Sequence, residues 1–393
     1  MASNYVSRLR QITSSKSALS ACTSAADLLG ESIVHIPEMS ILELKQFCKS
    51  VLVFRRAFSK LRLNPQIFRL VNRKLASVVD MEPSFCHDVV SVFGSISQLD
   101  RRGAPPYLRP ETVDLLASRL IVQMSAMDKC EILSVFARVN LKPGFSITEN
   151  DCLALKTASP ESSNGRICGA ILASAKLDLP ITSILALVPN RVCGLTTMEL
   201  SNVLYAITLS HDDSFCGLFE QILHLLERKK NQISVSSMNQ IAVAVYGRNS
   251  GAFAQECIDK CVADKVNNVT MSKAQTIVRR SLETLGIDEM FTEEFPQGPF
   301  RLDFAIPKLR VAIEINGPYH YYHGSTVATA KTRMKRRLLT EWKIAEIDYK
   351  QLKEANDKVK LVEHTVRELV GCTNKANNNR DKIHTTLKKI LQN

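Results

Sequence analysis

Between residues 300 and 353 short apolar runs alternate with sharp breaks, and the breaks place the elements. Phe300 to Ile306 is a predicted strand ended by Pro307 and Lys308, and Val311 to Asn316 is a second, mostly apolar strand ended by Gly317 and Pro318. Asp303 and Glu314 are therefore expected close together across a hairpin. Ala328 to Thr340 has helical spacing of apolar and small residues. Lys343 to Asp348 reads as a short buried strand, and Gln351 to Val370 as an amphipathic helix carrying Leu352, Val359, Leu361, Val362, Val366, Leu369 and Val370. Upstream, Ser272 to Leu285 is a predicted helix with Ser272 as its cap and Gly286 as its stop, and Phe291 to Phe295 is a further strand. The expected order is helix, three strands, helix, strand, helix.

From about Asp27 to Thr270 the periodicity is helical, interrupted by polar or Pro-containing breaks at 101–110, 142–150, 158–165 and 210–214. One pattern recurs, in LKQFCKSV (44–51), VVSVFGSI (89–96), KCEILSVF (129–136), ICGAILAS (167–174), LSNVLYAI (200–207) and MNQIAVAV (238–245). With Phe47, Val92, Ile132, Ala170, Val203 and Ile241 as equivalents, the steps are 45, 40, 38, 33 and 38 residues. Such steps suit a two-helix repeat stacked as an α-solenoid, in which each unit buries its apolar face against its neighbours. The alternative is an ordinary helical bundle, whose core helices look alike because all are amphipathic.

Chemistry gathers in the C-terminal quarter. Tyr319, His320, Tyr321, Tyr322 and His323 follow the second strand at its C-terminal end, the edge of an α/β sheet where ligands collect. The next helix carries Lys331, Arg333, Lys335, Arg336 and Arg337 with no acid among them, so one of its faces is expected to be strongly positive. Exposed tyrosines can stack on unpaired bases, for about 1 to 3 kcal/mol each. The simpler reading is that the tyrosines cover the sheet edge, that each histidine makes one structural hydrogen bond, and that backbone or a nearby Lys or Arg satisfies Asp303 and Glu314.

Four separated pieces, LDFAIP (302–307), VAIEINGPYHY (311–321), the lysine-bearing helix and EWKIAEIDY (341–349), occur in order and closely resemble the RAP domain. That family is an RNA-binding module abundant in apicomplexans and also found at the end of the mitochondrial FAST-kinase-domain proteins. The resemblance covers about the last quarter of the chain and implies a fold similar to the PD-(D/E)xK nucleases, whose Asp and Glu on neighbouring strands hold a divalent cation while a Lys two residues after the Glu helps activate water. Asp303 and Glu314 match the two metal carboxylates. Asn316 stands where the lysine would be, and an amide can neither take a proton from water nor stabilise the developing anion with charge. The implied nuclease site is incomplete, and catalysis is expected to be degenerate or absent. Organellar helical repeats of similar length, including the octotricopeptide class, often bind single-stranded RNA along a concave face. The middle of this chain matches no base-reading code and is not conspicuously basic, so it could equally contact protein.

Composition narrows the partners. The chain has 393 residues and a formal net charge of +12. From Pro296 to Asn393 there are 19 Lys and Arg against 10 Asp and Glu, so most of the excess lies beside the aromatic loop, as a phosphate-backbone partner requires. No charge-free stretch of eighteen or more apolar residues exists, which argues against a membrane span. Eleven cysteines are scattered singly, and only Cys257 and Cys261 are close. With no second pair or nearby histidine, they read as buried free thiols of a reducing compartment and not as a zinc site.

Residues 1–26 hold Arg8, Arg10, Lys16 and seven serines, with no acid before Asp27. That composition is expected of an organellar transit peptide, and mitochondrial import to the matrix is preferred because the resembled family is chiefly organellar. The expected organisation is a leader (1–26), an α-helical repeat region (27–271), an α/β restriction-endonuclease-like RAP domain (272–371, core 300–353) and a basic tail (372–393). The expected function is RNA binding in organellar RNA metabolism, in the processing, stability or translation of rRNA or mRNA, with no cofactor. Two alternatives stay open: a structural subunit contacting mitochondrial ribosomal proteins and rRNA, and a magnesium-dependent endoribonuclease using Asp303 and Glu314.

Overall fold

A computed structural model describes residues 29–30, 32–57, 64–77, 86–99, 108–248, 251–266 and 271–371. Residues 1–26, expected to be a leader, and the tail after Gly371 lie outside the described residues. The chain divides into two compact units, Met1–Leu195 and Thr196–Asn393.

The first unit is helical: α1 (Ile41–Ala57), α2 (Pro65–Ser77), α3 (Cys86–Ser97), α4 (Pro110–Leu120), α5 (Ala126–Val139), α6 (Glu149–Thr157), α7 (Pro160–Lys176) and the single turn α8 (Thr182–Leu185). Proline opens α2, α4 and α7, where its missing N–H costs nothing. Ser125 caps α5 through the Asp128 amide, and Thr148 forms a capping box with Asp151 on α6. Alternate helices pack in series, α1 on α3, α3 on α5 and α5 on α7, while α2 packs on α4. Polar links join helices one repeat apart: Lys45 pairs with Asp88, His87 Nδ1 lies 2.7 Å from Asp128 Oδ1, and Arg138 donates to Ser97 Oγ at 2.7 Å.

The second unit continues the alternation with α9 (Thr197–Ser210), α10 (Cys216–Arg228), α11 (Val235–Val245) and α12 (Gly251–Val266), α9 packing on α11. The six recurring segments of the sequence fall on α1, α3, α5, α7, α9 and α11, every second helix. Phe47, Val92, Ile132, Ala170, Val203 and Ile241 are all buried. The period in the sequence is therefore the spacing of helix pairs. Cys257 and Cys261 are both buried on α12. Among the described residues no helix is long and apolar enough to cross a membrane.

The rest of this unit is α13 (Lys273–Leu285), β1 (Thr292–Gln297), β2 (Phe300–Ile306), β3 (Val311–Asn316), α14 (Ala330–Leu338), β4 (Lys343–Asp348), α15 (Tyr349–Glu354) and α16 (Lys358–Leu369). Strand order is β1-β2-β3-β4, with the first two pairings antiparallel and β3–β4 parallel across the α14 connection. Ser272 caps α13 in a capping box with Gln275, and Gly286 closes the helix at φ 66°, a left-handed position that suits glycine. The single helix expected over 351–370 is two, because Asp348 and Asp357 each cap a separate start. Likewise α14 begins at Ala330 with Thr329 as its cap, two residues later than its spacing suggests.

Both faces of the sheet are covered. On one, Phe304, Ile306, Ile313, Ile315 and Ile347 pack with Val278 and Leu282 of α13, Leu352 of α15 and Val362 and Val366 of α16. On the other, Phe300, Leu302, Ala305 and Ala312 cluster with Leu339 and Trp342, and Val243 and Tyr246 from the end of α11 pack against them. The last helical pair thus supplies part of the sheet's second layer. Arg337 of α14 reinforces this by donating to the Thr208 carbonyl on α9 at 2.6 Å.

Candidate nucleic-acid interface

Strand β2 breaks its two-residue alternation once. Phe300 and Leu302 face one core cluster and Phe304 the other, while Ala305 returns to the first, so the parity switches at Asp303. Directly across from Asp303 on β1, between the paired residues Glu293 and Phe295, Glu294 sits at φ 49°. A left-handed glutamate in a strand is costly and is held only by its surroundings.

Those surroundings are a carboxylate network. Asp303 Oδ2 accepts the Ile315 amide at 2.7 Å, and Glu314 Oε1 accepts the Asp303 amide at 3.3 Å, so each acid bonds the other's strand. Gln275 donates from Nε2 to Asp303 Oδ1 at 2.8 Å and to Glu294 Oε1 at 2.7 Å, while its Oε1 accepts the Ser272 amide at 2.6 Å. Lys335 donates to Glu314 Oε2 at 2.5 Å and to the Arg301 carbonyl at 2.6 Å. Each of the four oxygens of Asp303 and Glu314 has a donor. The pair is close, as the hairpin requires, but it is a satisfied structural cluster and its donor set does not fit a divalent cation with open positions. Among the described residues no group of three or more His, Cys, Asp and Glu side chains is placed to hold a metal ion.

Asn316 is engaged as well. Its Nδ2 donates to Glu346 Oε2 at 2.6 Å, and Glu346 on β4 is paired in turn with Arg336 of α14. The Tyr321 hydroxyl bonds Asp348 and Asn316, and burial followed by the Asp348 carboxylate pushes its pKa up to about 12, so it stays protonated.

The structure redistributes the residues expected at an RNA surface. Tyr319 is 53% exposed, and His323 and Lys331 are exposed. Tyr322 is corrected: it is buried, and its hydroxyl oxygen accepts the Ala330 amide at 3.1 Å, where it orders the start of α14 and offers no face to a base. His320 is partly buried, its carbonyl accepting from Thr329 N at 2.8 Å and Thr332 Oγ1 at 3.2 Å. Burial, then the charges of Lys335 and Lys331, hold its imidazole below the usual range and therefore neutral at pH 7. The cations of α14, expected to make one face strongly positive, have partners of their own. Arg333 donates to the Ala328 carbonyl, Lys335 joins the carboxylates, Arg336 pairs with Glu346 and Arg337 reaches Thr208. Strand β3 and strand β4 supply the acids that the helix lacks.

Gln275, Glu294, Arg301 and Glu346 complete the site and were not singled out in the sequence. The capping box at Ser272 was a usable signal for Gln275, because an N3 glutamine has a fixed orientation. Glu294 carried none, since its role depends on the parity switch in the neighbouring strand.

Burial pushes Glu314 up to about 7 against the opposing pull of Lys335, with Asp303 adding to the rise. Its ordinary value is 4.5, so between 4.5 and about 7 the folded protein holds more protons than the unfolded chain. Stability is then greatest below that window and falls as pH rises through it. Glu314→Gln is expected to flatten this slope in urea unfolding midpoints measured from pH 5 to 7.5. An unchanged slope would assign the pH dependence to other groups.

The stretch from β3 through the aromatic loop, α14 and β4 into α16 has a family counterpart. Residues 313–367 match the model of the RAP domain, so the chain carries a RAP domain in its C-terminal part.

Proposed function

We propose that the protein is a mitochondrial RNA-binding protein that acts in organellar RNA metabolism without cutting RNA. RNA binding is the property in keeping with a RAP domain at 313–367. The observation that carries the non-catalytic part is the closed network at Asp303 and Glu314, in which every carboxylate oxygen accepts a hydrogen bond and Asn316 is tied to Glu346. Phosphate contact falls to the cations at the exposed rim, Lys331 and Arg336, with Tyr319 as the ring best placed to stack on an unpaired base. The excess of nine cations over acids from Pro296 onward supplies long-range attraction. The acid-free, hydroxyl-rich residues 1–26 support import into mitochondria.

The test is sedimentation of the native protein from purified mitochondria, with and without ribonuclease. It is expected in large RNA-containing fractions and to move to the position of free protein after digestion. Absence from mitochondria would contradict the location. Sedimentation that ribonuclease leaves unchanged would contradict a role resting on RNA.

A further inference from the structure

Lys335 of α14 reaches the carboxylate pair with its ammonium. It is anchored there by its position on the helix: Met334 beside it is buried, Leu339 one turn later is buried, and the Thr329 cap fixes where the helix starts. The ammonium contacts Glu314 Oε2 at 2.5 Å and the Arg301 carbonyl at 2.6 Å. A carboxylate and a main-chain carbonyl are the ligand types that a hard divalent cation takes. Asp303 and Glu314 are joined through the Asp303 amide, and Gln275 links Asp303 to Glu294. A fixed single charge thus sits on Glu314 beside Asp303, where a carboxylate and a main-chain carbonyl converge.

We propose that Lys335 is a built-in cation occupying the position of a divalent ion at Glu314 and the Arg301 carbonyl, beside Asp303, so that the site is closed to metal by its own side chain and becomes a divalent-cation site when that ammonium is removed. An ammonium and a divalent ion cannot share Glu314 Oε2 at these distances, because they repel and compete for the same lone pairs. Asn316, two residues after Glu314, is tied to Glu346, and the cation at Glu314 comes instead from α14. The inference concerns how the site is closed and goes beyond RNA binding, which can fail or hold independently of it.

The experiment uses the full chain at pH 8, with manganese(II) as the probe, and compares wild type with Lys335→Met, Lys335→Gln and Lys335→Met/Glu314→Gln. Manganese binding is read by electron paramagnetic resonance and by the shift of the thermal midpoint. Wild type is expected to show neither binding nor a shift. Both single variants are expected to melt lower, to bind manganese at least roughly tenfold more tightly than wild type, the scale on which supporting groups tune metal sites, and to regain stability with it. The added Glu314→Gln should abolish the gain. Manganese binding by wild type that is lost in Asp303→Asn would overturn the proposal, and so would single variants that fold but bind no better than wild type. Should neither single variant fold alone, each is refolded with manganese present: recovery supports the proposal, and failure with the ion as well as without it overturns it.

Discussion

A fragment of residues 272–371 is expected to lose cooperative folding, whereas one beginning at Thr196 should unfold in a single sharp transition. The reason is the second face of the sheet. Phe300, Leu302, Ala305, Ala312, Leu339 and Trp342 are buried there, and the partly buried Val243 and Tyr246, which belong to α11 and the residue after it, pack against them. Removing residues 196–271 leaves that face to solvent, at about 1.5 to 3 kcal/mol for each large side chain re-exposed. It also removes the Thr208 carbonyl that Arg337 binds and the Tyr246 hydroxyl that accepts from Gln297 at 2.9 Å. Losses of that size match the whole stability of a small domain. Trp342 is the only tryptophan, and its ring centroid lies 5.6 Å from that of Phe295. Its emission should be that of a buried indole in the longer fragment and of a solvated one in the shorter. Equal, sharp urea transitions in the two fragments would show that the helices are not needed.

The second large effect is expected from a single methyl group. Gly298, in the turn between β1 and β2, sits at φ 54°, and a Cβ placed on it would lie 2.2 Å from Tyr246 Cε2. The tyrosine ring cannot swing aside freely, because Gln297 bonds its hydroxyl and Phe300 meets it edge-on at 5.5 Å. Gly298→Ala therefore combines a left-handed backbone penalty with overpacking, and a loss of about 2 to 5 kcal/mol is expected. Gly298→Ala/Tyr246→Ala removes the clash and leaves only the backbone cost, so its loss relative to Tyr246→Ala alone should be near 1 kcal/mol, roughly the left-handed penalty of one residue. Urea midpoints of the four proteins measure this. A Gly298→Ala variant as stable as wild type would mean that the turn is not held against α11.

The α/β part was legible where local chemistry decides structure. Phe300–Ile306, Val311–Asn316 and Lys343–Asp348 are found with the ends that their flanking residues indicate, because apolar runs bounded by Pro, Gly or a polar cap leave few registers. The helical repeat was legible because every second helix buries the same positions. What the sequence hid depends on partners far along the chain. A run such as Lys331 to Arg337 reads as a solvated face, yet the acids that claim Lys335 and Arg336 lie 21 and 10 residues away on two strands. Tyr322 reads like its neighbours, yet it is buried beside the bridge between Tyr321 and Ala328. The share of α11 in the sheet's second layer was invisible for the same reason: its apolar positions look identical whether they meet another helix or a strand.

The central claim is tested most directly with purified full-length protein and end-labelled single-stranded RNA in magnesium, following polarisation across a salt series and then running the recovered RNA on a denaturing gel. The account predicts saturable binding whose log affinity falls linearly with log salt, as released counterions require, and RNA recovered at full length after prolonged incubation. No binding at low salt, or shortened RNA whose production needs magnesium and is abolished by Asp303→Asn or Glu314→Gln, would contradict it.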